Sequence, residues 1–504
     1  MNQRVAFMLP GSQTQDKKAG LLYWAQRALE ECDKASLDFA PDPVHDLRVA
    51  IRRCRSMADG FLSVDPDPDW KAMKKLGKPL FANLGELRDT QVMIEWTHRL
   101  SEDHDPVRHM LLHTLSQKES VQKAAAQTAL HNFDRKHWLT LNTALAKRTA
   151  RLPLEGLVFQ HLALERLLEA QALHRQALRN RTQIGYHQLR IGIKRFRYTV
   201  ENFLPQRHEK WAPDLRDLQD ALGEVHDLDV LRGVIRAHTE IRDEDRERWY
   251  KRIADERQKR LDVYRERMLG KGSLWPVWRA ELPSGPVLEK AALEKFRTWA
   301  SYLDRDVQHS EHITRIALQL YDALSRNSVI SGRPEYRRIL EAAAIVHDVG
   351  RDRGAAGHLK RGYRLIGKLK PPLGWNEEEL RCVAAVARYH RGALPKPGAS
   401  HFVGLTAKRR RELLPIIGVL RLANAFDASH DRKVTRVSVE QRDGTLNIYA
   451  QGLPEISDTG EKLARARYLL ETTSGLTIRI RPLPAKPAAS SPTAADTQRA
   501  VAGS

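Results

Sequence analysis

One His-Asp pair in the sequence stands where a metal ion can be bound. His347 and Asp348 end an apolar helical stretch, "ILEAAAIVHDVGRDRG", and an adjacent imidazole and carboxylate can share a metal if neighbouring helices supply further ligands. His309 and Asp427 are the candidates for those ligands. This donor set suits Mn²⁺, Mg²⁺, Fe²⁺ or Zn²⁺ without choosing among them. A metal held there would polarise a phosphoryl oxygen and lower the pKa of a bound water for attack on phosphorus.

A second set of residues forms a basic row that occurs twice. The segment "VHDLRVAIRRCRS" (44–56) returns as "YHQLRIGIKRFRY" (186–198). The segment "LGELRDTQV" (84–92) returns as "LGEVHDLDV" (222–230), in the same order along the chain. Two matched segments in one order predict two related helical bundles.

On a helix, each copy places four basic side chains in one narrow arc with apolar side chains opposite. Like charges four residues apart repel, and the second copy has no acid between 186 and 198, so an anionic ligand must offset the repulsion. The planar guanidinium group of arginine donates several hydrogen bonds at once, which suits the oxygens of a phosphate chain. The scarcity of aromatic side chains among the cations argues against nucleic acid. The residues are His45, Arg48, Arg52 and Arg55, flanked by Arg53, and His187, Arg190, Lys194 and Arg197, flanked by Arg195.

These motifs resemble the CHAD family, helical domains named for their histidines, over roughly residues 15–275. Both copies are similar to the signature H-x-L-R-[VI]-x-[IL]-[KR]-[RK]-x-R, and 222–230 matches the second motif, L-G-x-x-[RH]-D-x-D-V. The resemblance implies two four-helix halves with inorganic polyphosphate in a basic channel between them, lined by the ten residues of the rows. We interpret Asp89 and Asp227 as structural acids that pair with arginine. Gln91 stands where the family usually has Asp.

The second half of the chain resembles the HD metal-dependent phosphohydrolases through the order H…HD…D. This resemblance implies metal ligation by His309, His347, Asp348 and Asp427, with Asp348 catalytic; His312, one turn beyond His309, is the alternative ligand. "RYHRGALP" and "LRLANAFDASH" also look like the C-terminal HD-like domain of the exopolyphosphatase and guanosine pentaphosphate phosphohydrolase family. That domain is helical with a small β-β-α-β unit.

The second resemblance also implies contacts with phosphate. The family's His-rich "HHKH" stretch is "GHLKR" at 357–361, which favours one metal over two. The alternatives that remain are hydrolysis of polyphosphate or a phosphorylated nucleotide, and a non-catalytic adaptor that targets polyphosphate granules. The candidate phosphate contacts are Arg351, His358, Lys360, Arg388, His390 and Arg391.

Composition agrees with an anionic partner. The 84 basic and 63 acidic residues give a net charge of +21 in 504 residues. Three separated cysteines argue against a disulfide framework, and neither a signal peptide nor a membrane span is evident, so we expect a cytoplasmic protein.

The pattern as a whole predicts a mainly α protein. Asp443-Gly444 between two β-rich runs indicates a hairpin near the C-terminus. The predicted domains are a duplicated four-helix-bundle domain over 15–275 (repeats 15–150 and 151–275), a linker over 276–289, an HD-like domain with a β-β-α-β appendage over 290–483, and a disordered tail over 484–504.

Overall fold

The computed structural model describes residues 20–483 apart from 355, 397 and 454–458. The chain divides into two compact units, and the boundary falls between Glu294 and Lys295. Both are mainly helical, as predicted. Among the described residues, no helix is long and apolar enough to cross a membrane. The predicted disordered tail lies outside the described residues.

The first repeat consists of helices that begin at prolines or at capping acids. Pro41, Pro79 and Pro106 lie in the first turns of their helices, where the missing N–H removes no helical hydrogen bond. Asp105 and Asp134 cap the last two helices by accepting hydrogen bonds from the backbone. The helices are α1 (Leu21–Ala35), α2 (Pro41–Phe61), α3 (Asp69–Leu76), α4 (Lys78–Leu100), α5 (Pro106–His131) and α6 (Arg135–Thr149).

The second repeat has the same order of helices with one fusion. Its third helix is continuous and corresponds in sequence to α3 and α4, which are separated by Gly77 in the first repeat. The predicted linker, 276–289, contains the end of one helix and the start of the next. The helices are α7 (Leu157–Asn180), α8 (Gln183–Phe203), α9 (Pro205–Ala237), α10 (Asp243–Met268) and α11 (Leu274–Ala280), followed by α12 (Gly285–Ser301), which contains the unit boundary.

The two repeats share a core. α2 packs against α8, and α4 packs against α9. Buried Met93 and Trp96 of α4 lie in one apolar cluster with Leu228 of α9 and Trp249 of α10. This packing brings the two helices that carry the basic rows, α2 and α8, into contact with each other.

The second unit surrounds helix α14 with three other helices. α14 contacts α13, α16 and α17. Short 3-10 helices cover Val349–Arg353 and Ser400–Phe402. The α-helices are α13 (Val307–Arg326), α14 (Pro334–Val346), α15 (His358–Ile366), α16 (Glu377–Arg388) and α17 (Ala407–Phe426).

A small sheet completes the second unit and confirms the predicted β-β-α-β appendage. β1 (Arg436–Arg442) and β2 (Thr445–Gln451) pair antiparallel. Asp443 and Gly444 join them with φ values of 48° and 73°, as a tight hairpin turn requires. α18 (Thr459–Ser474) then returns the chain, so that β3 (Thr477–Pro482) pairs parallel with β2.

A glycine at the α2–α8 contact gives a test of this packing. A Cβ at Gly60 would lie 2.3 Å from the ring of Phe203, which is buried and stacked on Phe159. We expect Gly60→Ala to lower the free energy of unfolding by roughly 1–3 kcal/mol through overpacking, although alanine favours helix. The measurement is urea denaturation followed by circular dichroism.

Gly233 supplies the matched control, because it lies in α9 with nothing within 4 Å of an added Cβ. Gly233→Ala should raise the free energy of unfolding by roughly 0.5–1 kcal/mol. Equal effects of the two substitutions would contradict the described contact.

Candidate functional site

Four basic side chains from α2 and α8 form a cluster where the repeats meet. Arg48, Arg52, Arg190 and Lys194 are half-buried, and the three arginines lie close enough to repel the charge of Lys194. We call these four residues the basic cluster. Arg48 donates to the backbone oxygen of Phe81 at 3.4 Å. Among the described residues, Nε of Arg190 is buried without a hydrogen-bond partner.

Two acids face the basic cluster and do not balance it. Asp89 of α4 interacts electrostatically with Arg48, Arg190 and Lys194. Desolvation, together with repulsion from Asp89, raises the pKa of Asp227 to about 6 despite the neighbouring Arg190. Because the two acids disfavour each other's charge, four cations face fewer than two full negative charges near pH 6. The interpretation of Asp89 and Asp227 as structural acids that pair with arginine stays a prediction.

Lys194 experiences the unbalanced charge most strongly. Desolvation, followed by repulsion from Arg190, Arg52 and Arg48, lowers its pKa to about 7. Asp227 opposes the shift but does not cancel it. An anion beside this side chain would restore its ordinary protonation.

Two other arginines of the rows are paired with glutamates. Arg53 pairs with Glu201, and Arg195 is exposed and bonds Glu169 at 2.9 Å. Arg55 donates to the backbone oxygen of Lys74 at 2.6 Å.

The histidines of the two rows have different surroundings. His45 is exposed, whereas Nδ1 of His187 lies 3.2 Å from Nδ1 of His226. Desolvation and Arg190 lower the pKa of His226 to about 4, so this neighbour is neutral at physiological pH. His226, and Arg88 at the matching position of the first repeat, are not among the residues predicted for the site. Their alignment in the repeated L-G-E segment was the available signal.

In the second unit, one carboxylate is shared by two groups of potential metal ligands. The first His-Asp group is His309, His347 and Asp348, and the second is Asp348, His358 and His390. Within each group the ligand atoms lie within 4.8 Å of one another, and all five residues are buried. Oδ2 of Asp348 lies 3.9 Å from Nε2 of His347, whereas Oδ1 lies 3.6 Å from Nε2 of His390.

Two of these imidazoles are oriented by the backbone. Nδ1 of His347 lies 2.7 Å from the oxygen of Ala344, and Nδ1 of His390 lies 2.7 Å from the oxygen of Ala387. A carbonyl oxygen only accepts, so each ring donates from Nδ1, and its Nε2 is the atom directed at Asp348. Among the described residues, both Nε2 atoms and Oδ1 of Asp348 are buried without hydrogen-bond partners. Unpartnered buried donor atoms in a His-Asp set fit a divalent cation.

The ionisation of Asp348 agrees with that fit. Burial would raise its pKa, but His347, His390 and Arg351 outweigh burial and hold the pKa far below its usual range. The carboxylate is therefore ionised at any physiological pH.

Asp427 lies beside the first group rather than within it. Its Oδ2 is 2.7 Å from Nδ1 of His309, and its Oδ1 accepts from the backbone N–H of Arg432 at 2.6 Å. His312, the alternative ligand, is buried but belongs to neither group. The structure thus brings His309 together with His347 and Asp348, with Asp427 in contact through His309.

His430, which is not among the residues predicted for the site, packs against His309. Its ring stacks on that of His309 with centroids 3.9 Å apart, and its Nδ1 lies 2.8 Å from Oδ2 of Asp306. Asp306 also caps α13 by accepting from the backbone N–H of His309. His430 has a φ of 58°, a left-handed conformation uncommon for residues other than glycine. The signal in the sequence was its place three residues after Asp427.

The predicted basic phosphate contacts are of two kinds: two arginines are hydrogen-bonded to a His-Asp group, and the other two cations are not. Arg351 donates to Oδ2 of Asp348 at 2.8 Å, and Arg391 donates to Nε2 of His358 at 2.6 Å, so both lie directly against the His-Asp groups. Lys360 is exposed, and the guanidinium of Arg388 lies 5.3 Å from the ring centroid of Tyr389.

Comparison with known proteins identifies the two units. Residues 24–236 match the family model described as CHAD domain. Residues 296–451 match the model described as Ppx/GppA phosphatase, domain III. The chain therefore contains a CHAD domain and a Ppx/GppA phosphatase domain III, as the sequence motifs predicted. Together they support a polyphosphate-related, phosphatase-like protein whose ligands contain phosphate.

Among solved structures, the chain is similar to the crystal structure of the CHAD domain from the plant Ricinus communis. The sequence identity is 19%, and the TM-score is 0.37. The match covers 55% of this chain and 96% of the plant domain.

The ionisation of Lys194 predicts a pH-dependent stability. Below pH 7 the folded chain holds a half-buried ammonium beside three arginines, so Lys194→Met should raise the free energy of unfolding at pH 6 by at least about 1 kcal/mol. The gain should shrink from about pH 7 towards 10.5, because there the unfolded chain still binds a proton that the folded chain has released. Urea denaturation at several pH values measures it.

Lys251→Met is the control, because Lys251 is exposed on α10 and its replacement should change the stability by less than about 0.5 kcal/mol. A Lys194→Met protein that is less stable than the wild type at pH 6 would mean that the ammonium is paired with an acid.

Proposed function

We propose that this chain binds inorganic polyphosphate at the basic cluster and hydrolyses polyphosphate or a phosphorylated nucleotide at the His-Asp groups. The hydrolytic part rests on one observation: the two oxygens of Asp348 face different sets of buried imidazoles. A carboxylate in that position can serve two adjacent cation sites. The match to a Ppx/GppA phosphatase domain supports phosphate-containing substrates.

A divalent metal fits the donor atoms of the second unit. His309, His347 and Asp348, with Asp427, would hold one ion, and Asp348 with His358 and His390 would hold a second. The sequence favours one metal because the "GHLKR" stretch lacks two of the family's histidines. A second set of ligands is nevertheless possible, because His390 follows the end of α16 and does not belong to that stretch. Mn²⁺, Mg²⁺, Fe²⁺ and Zn²⁺ all accept such ligands. When bound, the ion supplies Lewis acidity and an activated water.

The protein's own groups prepare the site for an anion. Hydrogen bonds from Nδ1 fix the rings of His347 and His390, and burial keeps both rings in a site with little water. Arg351 and Arg391 lie against Asp348 and His358, within reach of a phosphoryl group placed between them. Their guanidinium groups would offset the negative charge that develops on the phosphoryl oxygens.

The polyphosphate-binding part rests on the balance of charge between α2 and α8. Arg48, Arg52, Arg190 and Lys194 repel one another, and Asp89 and Asp227 do not neutralise them. A linear polyanion offers regularly spaced oxygens that can reach cations from both helices. The match to a CHAD domain supports this choice of ligand.

Phosphate release tests the hydrolytic proposal. Purified protein with Mn²⁺ or Mg²⁺ should release phosphate from long-chain polyphosphate or guanosine triphosphate, and Asp348→Asn should lower the rate at least about a hundredfold by removing the shared ligand. Asp46→Asn is the matched control, since Asp46 is the exposed acid of another Val-His-Asp sequence. Its rate should equal that of the wild type.

Two results would contradict hydrolysis. One is the absence of phosphate release from either substrate with every metal tried. The other is equal activity of the Asp348→Asn and wild-type proteins, which would assign the release to a contaminant.

A non-catalytic polyphosphate adaptor, which targets polyphosphate granules, is the second candidate. The hydrogen bonds from Arg351 to Asp348 and from Arg391 to His358 favour it, because they occupy atoms that a metal would need. In this case the second unit binds phosphate without turnover, and the basic cluster accounts for the function.

Charge reversal at the basic cluster tests polyphosphate binding under both candidates. Arg48→Glu combined with Arg190→Glu should weaken binding of polyphosphate at least about a hundredfold, because each lost charge-assisted contact is worth roughly 1.5–3 kcal/mol. Arg175→Glu combined with Arg179→Glu changes the net charge equally at exposed positions of α7 and should have a much smaller effect. Fluorescence anisotropy with labelled polyphosphate at several salt concentrations measures both. Equal losses would mean that net charge alone drives binding.

A further inference from the structure

One face of the small sheet is apolar and buried, and the other is polar and carries arginines. Side chains alternate between the two faces along each strand. Leu446, Ile448 and Ala450 of β2 are buried. Tyr449, which alternates with them, is half-buried. We call the face that Tyr449 shares with Arg436, Glu440, Arg442, Arg479 and Arg481 the outer face.

The register of the strands places arginine beside the tyrosine. Tyr449 of β2 is paired with Arg481 of β3. Asn447, two residues earlier, is paired with Arg479. Paired residues of neighbouring strands lie about 5 Å apart and point to the same face, and residues two apart on one strand are separated by about 6.6 Å. The outer face therefore has an aromatic ring on its middle strand and two guanidinium groups beside it on β3.

The charge of the outer face is not balanced. Arg436, Arg479 and Arg481 are exposed, and among the described residues none of their side chains forms an ion pair or a hydrogen bond. Glu440 is the only acid in the sequences of the three strands, and it pairs with Arg442 at 2.6 Å. Three unpaired cations on one face indicate an anionic partner.

Tyr449 indicates which kind of anion the outer face fits. Its hydroxyl lies 3.5 Å from Oε2 of Glu440, so the ring is close to β1 on one side and to the arginines of β3 on the other. An aromatic ring among cations offers a stacking surface for a nucleobase, and the arginines beside it can bind phosphate oxygens. Inorganic polyphosphate has no ring to stack. In the basic rows the scarcity of aromatic side chains argues against nucleic acid, whereas on this face the tyrosine lies among the cations.

A partner is expected on the face of the sheet rather than at its edge, because side chains of α18 occupy the edge of β3. Glu471 accepts from the backbone N–H of Ile478 at 2.9 Å, and Arg467 donates to the backbone oxygen of Ile478 at 2.9 Å. Both backbone groups that an added strand would pair with at Ile478 are therefore already bonded. Pro482, at the end of β3, has no N–H to donate.

We propose that the outer face of the sheet binds single-stranded nucleic acid, with a base stacked on Tyr449 and backbone phosphates bound by Arg479 and Arg481. A single strand is required because the bases of a duplex are stacked on one another and are not free to stack on the tyrosine. The three strands contain none of the residues of the His-Asp groups, so this binding does not depend on the proposed hydrolysis.

Oligonucleotide binding tests the proposal in the full-length protein. The parent protein carries Arg48→Glu and Arg190→Glu, so that the basic cluster does not contribute, and the probes are fluorescein-labelled oligouridylate and oligothymidylate of about 12 nucleotides. At least one probe should bind. Arg479→Gln combined with Arg481→Gln should lower its affinity at least about tenfold, because two charge-assisted contacts are lost. Fluorescence anisotropy at several salt concentrations measures the affinity.

The salt dependence distinguishes lost phosphate contacts from a disturbed fold. The slope of log affinity against log salt concentration should fall in magnitude by about 1.4 in the Arg479→Gln, Arg481→Gln protein, because each phosphate contact on a single strand contributes about 0.7. Arg479→Lys combined with Arg481→Lys keeps both charges and should retain the slope of the parent protein.

Tyr449 separates nucleic acid from a general polyanion. Tyr449→Leu should weaken binding of the oligonucleotide at least about fivefold without changing the salt slope, because a stacking surface is lost but no charge. Tyr449→Phe keeps the ring and should bind as the parent protein does. Unlabelled inorganic polyphosphate should compete less well than unlabelled oligonucleotide with the same number of phosphates.

Arg364→Gln combined with Arg381→Gln is the matched control, since both arginines are exposed, one on α15 and one on α16. It removes the same charge and should leave the affinity and the slope unchanged. Equal losses in this control and in the Arg479→Gln, Arg481→Gln protein would overturn the proposal, as would the absence of binding to either probe. An unchanged affinity of the Tyr449→Leu protein would also overturn it, because the face would then bind any polyanion.

Discussion

The constraint on which both units depend is the cost of holding polar or charged groups away from water without a partner. Such groups typically lower the stability by about 1–3 kcal/mol each, and more when they are charged. In the first unit the groups are half-buried cations, of which Lys194 is the most strongly affected. In the second unit they are Nε2 of His347 and His390 and Oδ1 of Asp348. Hydrophobic packing between repeats and around α14 holds these groups in place.

Both sites are assembled by convergence of helices rather than by one continuous motif. The basic cluster exists because α2 and α8 pack together, so that each repeat supplies half of the charge. The second His-Asp group exists because the C-terminal ends of α14 and α16 and the N-terminal end of α15 lie near one another. Asp348 follows α14, His358 begins α15 and His390 follows α16. Duplication explains the first arrangement, since matching positions of two similar bundles meet at their interface. In both cases the positions of charges are set by elements whose own stability comes from apolar faces.

Much of the fold could be predicted from the sequence, because its signals are local. The helical periodicity, the repeated segments and the Asp443-Gly444 turn each depend on near neighbours in the chain. Helical geometry also placed Arg53 and Arg195 on the flanks of their rows, where they bond Glu201 and Glu169.

Features that depend on contacts between distant residues could not be predicted in the same way. His430 stacks on His309 from more than one hundred residues away, and no periodic pattern marks it. The joining of His358 with His390 through Asp348 likewise depends on how α15 and α16 pack. The lowered pKa of Lys194 follows from desolvation by burial, and then from repulsion by one arginine on its own helix and two on the other repeat.

A crystal structure of the full-length protein grown with Mn²⁺, with anomalous scattering data, is the most direct test of the proposal that Asp348 serves two cation sites. We expect two manganese peaks beside Asp348, one with His309 and His347 and one with His358 and His390. Arg351 and Arg391 should then have moved off the ligand atoms. Saturating Mn²⁺ with no peak at Asp348, and with both arginines still hydrogen-bonded to Asp348 and His358, would contradict it.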